Sequence, residues 1–135
     1  MKYTVVAVGR IRAPFADDLA HYAKMLSGHA KVDLVEVRDD EQVERRIPPR
    51  AYRVLLDSRG RTHDSEAFAR WLEARRRAGR DVCFVIGGAD GIEIEPCDER
   101  LSFGPMTFPH QLARVMLVEQ LFRAHKILAG EPYHH

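Results

Sequence analysis

Apolar residues along this chain fall into four short, nearly continuous runs, Tyr3–Val8, Val32–Val37, Tyr52–Asp57 and Val82–Ile86. Runs of that length with little alternation predict strands covered on both faces, as in a parallel sheet. Between them the apolar spacing becomes helical. Phe15, Leu19, Tyr22, Ala23 and Leu26 follow Pro14 at i, i+4, i+7 and i+8, with Gly28 as a stop. Asp64 or Ser65 can cap a second helix that carries Phe68, Trp71 and Leu72 and ends at Gly79. Strands alternating with helices predict an α/β fold with a largely parallel sheet and flanking helices.

Two segments break this rhythm. "VRDDEQVERRIPPR" is charged, and its Pro48-Pro49 pair excludes a helix through that point, so it reads as a surface connection with one short helix. The stretch from Gly87 to Pro109 is irregular apart from a short strand at Leu101–Phe103, and irregular stretches this long in small domains usually serve function. The last helix, from about Pro109 through Ala129, is apolar nearly all round, at Leu112, Val115, Met116, Leu117, Val118, Leu121, Phe122, Ile127 and Leu128. One small sheet covers one side of a helix, so the surplus apolar face predicts a partner, most simply a second copy of the chain.

Composition narrows this picture. The 135 residues suit a single domain, 1–135, with 45% apolar and 30% charged residues and a formal net charge of +1. The total does not announce a nucleic-acid partner, but "RIPPR", "SRGR" and "EARRRAGR" gather arginines into local basic patches. Cys83 and Cys97 form no framework and no secretory segment precedes them, which predicts reduced thiols and a cytoplasmic protein. No apolar segment approaches the roughly 20 residues of a membrane span, so no membrane partner is expected. The seven histidines show no metal-ligand spacing, so no metal is expected either.

The chemistry of single motifs is thin. "FVIGGADGI" ends a strand in three glycines, but it lacks the G-x-G-x-x-G spacing of a dinucleotide site and the Lys-Ser or Lys-Thr of a P-loop. Read alone, it is either a strand-exit turn, with Asp90-Gly91 in positive φ, or one wall of a site. His110 suits local backbone orientation as well as ligand contact, His134 and His135 either fray or act, and no G-x-S-x-G nucleophile is present.

Read together, "DVCFVIGGADGI", "LSFGPMTFPHQLARVMLVEQLFRAH" and the terminal "PYHH" resemble the RlmH family of SPOUT-class methyltransferases. "MKYTVVAVGR" and "LLDSRGR" resemble that family's opening strand and its Leu-Asp-x-x-Gly loop, so the resemblance spans the chain and is strongest over 81–135. It implies a C-terminal trefoil knot, a homodimer, and S-adenosylmethionine bound in bent form by the knot loops. It also implies methylation of N3 of a pseudouridine in helix 69 of 23S ribosomal RNA, in the large subunit or the assembled ribosome. By position, the cofactor contacts would be Leu56, Gly88, Gly104, Pro105, Met106, Thr107, Phe108 and Pro109, with glycines 87, 88 and 104 letting backbone approach the ligand. Arg123 would contact RNA or stabilise charge on the deprotonating uracil ring, and Tyr133 with His134 would complete the substrate pocket. Arg10, Arg12, Arg59, Arg61 and Arg123 could supply a basic surface for a folded RNA.

The chain departs from the family at His135, where Arg is expected, at Leu101, where an aromatic residue is frequent, and by a shortfall around 39–50. The altered tail leaves a non-catalytic ribosome-binding protein as the alternative; a small nucleotide-binding domain is disfavoured by the missing phosphate loop.

Overall fold

The structure, a computed structural model, describes residues 1–133. Five strands and four helices run in the order β1 (Lys2–Val8), α1 (Phe15–Ser27), β2 (Lys31–Val37), α2 (Val43–Arg46), β3 (Tyr52–Thr62), α3 (Ser65–Arg77), β4 (Val82–Ile86), β5 (Glu99–Ser102) and α4 (His110–Leu128). The strands form one sheet in the order β2-β1-β4-β3-β5, and every neighbouring pair is parallel. This is the expected α/β architecture.

The pleat divides each central strand between two cores. Tyr3, Val5 and Ala7 of β1, with Val82, Phe84 and Ile86 of β4, face a core completed by α1, α3 and α4. Val6, Cys83, Val85 and Leu55 face the opposite way, against Val37, Val43 and Ile47. A strand buried on both sides has no polar positions, which explains the continuous apolar runs. Burial also pushes the Cys83 thiol up to about 12, so it packs as a small apolar group.

The helix ends follow local chemistry. The Asp64 carboxylate accepts from the Ala67 N–H at 2.7 Å and caps α3. Three helices, α1, α3 and α4, stop within two residues of Gly28, Gly79 and Gly130. No helix among the described residues is long and apolar enough to cross a membrane.

Four expectations change. β2 is not covered on both faces: it is the sheet edge, largely exposed, with Leu34 40% accessible, because it has one strand neighbour and little helix over it. The 40–51 segment is more than a surface connection, since Val43, Ile47 and Ala51 are buried and close the second core. β3 runs on to Thr62 instead of ending at Asp57, pairing with β5 on either side of a register shift. The short strand begins at Glu99 and ends at Ser102, because its partner residues on β3 lie opposite Glu99 onward. As for α4, it lies between α1 and α3 on the sheet, so those two helices cover much of the apolar surface that the sheet alone could not.

Candidate functional site

The C-terminal ends of the strands in a parallel sheet are where loops can surround a ligand. Here the ends of β3, β4 and β5 open onto a cavity of about 720 Å³. Leu56, Ile86, Leu101, Phe103, Phe108 and Ala113 give it apolar walls, and the backbone of 87–92, of Gly104 and of 106–109 gives it polar ones. Seven of the eight residues assigned by position line this one cavity: Leu56, Gly88, Gly104, Met106, Thr107, Phe108 and Pro109. Pro105 does not, and Met106 is 75% exposed at the mouth.

The glycine loop is built differently from the sequence expectation. The Gly91 N–H donates to the Gly88 carbonyl at 3.0 Å, and Gly91 has φ +76°. Asp90 does not share a positive φ; among the described non-glycine residues only Arg50 has one. A Cβ on Gly87 would come within 2.9 Å of the Gly91 carbonyl carbon and the Ile92 nitrogen. Gly87 is therefore glycine so that the loop can fold back on itself, whereas Gly88 meets nothing closer than Val8 at 3.6 Å and keeps its backbone open.

The opposite wall comes from the shift in β3. Leu56 and Arg61 both pair with Leu101, so residues 57–60 are extra to the ladder and swing Asp57 and Arg59 into the cavity lining. Gly60 allows this, since a Cβ there would sit 2.6 Å from the Arg100 backbone. The Asp57 carboxylate accepts from the Arg59 N–H at 2.9 Å and from Arg100 Nη1 at 2.7 Å, and these donors hold its pKa below the usual carboxylate range. Arg100 Nη2 also donates to Glu93 Oε2 at 2.6 Å. One guanidinium thus ties the 87–93 loop to β3 across the cavity rim.

A cavity of this size, with apolar walls and backbone polar groups, fits a nucleoside-like ligand, and the two rim carboxylates, Asp57 and Glu93, are both paired with Arg100. His110 lines it too. Its Nδ1 is buried with no hydrogen-bond partner, and burial, then Arg114 and Arg12, lower its pKa, so the imidazole is neutral at neutral pH. One turn on, Arg114 is 2% exposed: Nη1 donates to Glu36 Oε2 at 3.0 Å, and Nη2 to the carbonyls of Val8 and Gly9 at 3.0 and 2.8 Å.

The residues assigned to catalysis lie elsewhere. Arg123 donates to Glu119 Oε2 at 2.8 Å, the Tyr133 hydroxyl donates to the same oxygen at 3.0 Å, and the guanidinium lies 4.9 Å from the Tyr133 ring centre. The structure brings these two together but not into the cavity of Leu56 and Gly88. Glu119 lines a second cavity of about 730 Å³, with Tyr22, His63, Ser65 and Met116, on the other side of Leu101 and Phe103. His134 and His135 lie outside the described residues. No group of three or more metal-ligating side chains is found among those described.

Sequence reasoning missed Asp57, Glu93, Arg100, Arg114 and Glu119. Arg114 left a signal, a lone arginine among apolar positions of a helix that must be buried. Arg100 left none, because its partner Asp57 is 43 positions away.

Residues 1–134 match the family described as "Predicted SPOUT methyltransferase". The chain belongs to that family, and its parallel sheet flanked by helices is the fold of a SPOUT methyltransferase. Its relatives are specific. It is 44% identical to the ribosomal RNA large subunit methyltransferase H of Gluconacetobacter diazotrophicus, covering 96% of this chain and 95% of that protein. The proteins of the same name from Cereibacter sphaeroides and Pelotomaculum thermopropionicum are 43% and 41% identical, over 99% and 98% of both partners.

Proposed function

We propose that the protein transfers a methyl group from S-adenosylmethionine to N3 of a pseudouridine in helix 69 of 23S ribosomal RNA, as a homodimer acting on the large subunit or the assembled ribosome. The observation that carries this reading is that seven of the eight residues assigned by resemblance, from three separate stretches of chain, line one cavity. The relatives' name supports a large-subunit RNA as the acceptor. The trefoil threading of the C-terminal loops belongs to the same reading.

When bound, the cofactor would supply an electrophilic methyl on a sulfonium sulfur, with a neutral thioether as the leaving group. The chain's own residues bind and orient. Leu56, Leu101 and Phe108 would enclose an aromatic base, and backbone groups of 106–108 would read its polar edge. The acceptor nitrogen would give up its proton to solvent water as it attacks, and Arg123 would stabilise negative charge on the ring. Tyr133 is pushed up to about 12 by burial and by its bond to Glu119, so it acts as a hydrogen-bond donor and not as a base. By resemblance His134, which lies outside the described residues, would belong to the substrate pocket.

Arg123 lies ten residues beyond Ala113, the last residue of α4 on the cavity, which is about 15 Å along the helix at ~1.5 Å per residue. A second copy would supply the Arg123 group to this chain's cavity. Calorimetric titration with S-adenosylmethionine, and mass mapping of ribosomal RNA from cells with and without the protein, test the reading. We expect one bound donor per cavity and one pseudouridine methyl that disappears with the gene. A folded protein that binds ribosomes but no S-adenosylmethionine would establish the non-catalytic alternative. Mixing Arg123→Ala chains with Gly88→Trp chains should restore transfer that neither has alone.

A further inference from the structure

The five arginines considered for RNA contact are not equivalent in the fold. Arg123 is engaged by Glu119 and Arg59 by Asp57, at 2.8 and 3.4 Å. Arg61, on β3, is exposed and unpaired among the described residues, and so are Arg10 and Arg12 on the loop between β1 and α1, where neither guanidinium hydrogen-bonds or pairs with a carboxylate.

Around these two free cations the backbone is bonded almost completely. The Gly9 N–H donates to the Val37 carbonyl at 2.8 Å, and the Ile11 N–H to Glu36 Oε2 at 2.7 Å. Gln111 holds both arginine positions, its Oε1 accepting from the Arg12 N–H at 2.9 Å and its Nε2 donating to the Arg10 carbonyl at 3.2 Å. The Arg12 carbonyl accepts from the first turn of α1, and Arg114 takes the Val8 and Gly9 carbonyls. The loop is therefore fixed from α4 and β2, while its two charges are left to solvent. It also edges the cavity: the Arg12 charge acts on His110, and a Cβ on Gly9 would meet His110 Cε1 at 3.7 Å.

Unpaired cations carried on an ordered backbone make no internal contact, and two of them on one short loop repel each other. A polyanion relieves that repulsion, and prior ordering of the loop lowers the entropy lost on binding. We propose that the β1–α1 loop is a preset phosphate clamp, in which Arg10 and Arg12 grip the RNA backbone beside the cavity while Gln111, Arg114 and Glu36 hold the loop in place. This rests on the RNA-methylation reading. Arg10 and Arg12 are contact residues for the substrate backbone; Gln111 is a positioning residue.

The test compares methyl transfer to purified large ribosomal subunits by the wild-type protein, Arg10→Ala/Arg12→Ala, Gln111→Ala, and a control, Arg45→Ala/Arg46→Ala. The control removes the same charge from α2, over the second core. The loop double variant should raise KM for the subunit about tenfold or more, with kcat and S-adenosylmethionine affinity unchanged. Its log–log salt dependence should be shallower by roughly 1.5, the slope expected for two lost phosphate contacts. Arg10→Lys/Arg12→Lys should recover most of the loss, since a phosphate accepts a point charge. Gln111→Ala should raise KM less and keep kcat. A loop double variant with wild-type KM and salt slope overturns the proposal, as does a control that loses as much. If the wild-type protein transfers no methyl to any ribosomal substrate, the functional reading falls first, an outcome distinct from a null difference between active variants.

Discussion

The two halves of α4 each carry an arginine bonded to a glutamate, and the two pairs do different work. In the N-terminal half Arg114 is enclosed, reaches across to Glu36 of β2 and takes two carbonyls of the β1–α1 turn. In the C-terminal half Arg123 bonds Glu119 one turn back on its own helix and stacks on Tyr133, on a partly exposed face. An arginine whose partners come from other elements welds the fold, because losing it strands buried acceptors. One that pairs one turn back on its own helix, on a partly exposed face, contributes less to stability. Resemblance had drawn attention to Arg123, while the residue that organises the cavity's surroundings is Arg114.

The largest effect expected is on this contrast. Arg114→Ala should destabilise the protein by about 2–4 kcal/mol, since it leaves two carbonyls without a donor, while Arg123→Ala should cost less than about 1 kcal/mol yet abolish most methyl transfer. Urea unfolding of both variants measures this, and equal losses would erase the distinction. A smaller effect is expected from Tyr133→Phe, which removes one hydroxyl bond to a carboxylate and should cost about 1 kcal/mol in the same assay. No change there would detach the tail from the C-terminal site.

The smallest effect concerns pH. Each half of α4 also holds a histidine with a lowered pKa, His110 without a hydrogen-bond partner at Nδ1 and His125 with Nε2 2.7 Å from the Tyr3 hydroxyl. His125 is lowered first by burial, then by His29, the N-terminus and Arg76, with Glu73 opposing. The unfolded chain therefore takes up the proton first as pH falls. Stability contributed by the neutral ring is present above the ordinary value of 6.5 and is lost as pH drops from there through the lower folded value. Thermal unfolding at pH 5 and pH 7 should show a lower Tm in acid, and His125→Phe should flatten part of that difference. A Tm that rises in acid would reverse the assignment.

Much of the fold was legible in the sequence. β4 coincides with its apolar run, and the capped α3 and the long α4 lie within a residue or so of the expected bounds, because strand and helix periodicities are local. β2 reads as a buried strand yet is an edge, since nothing in "KVDLVEV" says that no second neighbour will arrive. The all-round apolar α4 announced extra burial correctly, but sequence could not say that α1 and α3 would supply much of it. At the site, the glycines were visible and the reason for Gly87 was not, because a loop packing on itself and a loop opening to a ligand use the same residue.

By itself the sequence determined the element order, the two-sided burial of the central strands and, through motif resemblance, the stretches that form the cavity. Only the tertiary structure decided which charges are spent and which are free. Asp57 meets Arg100 across 43 positions, Glu36 meets Arg114 across 78, and Arg10 and Arg12 are left without partners. Propensity and periodicity act between near neighbours, whereas the pairing of a charge depends on which distant element the sheet order brings beside it.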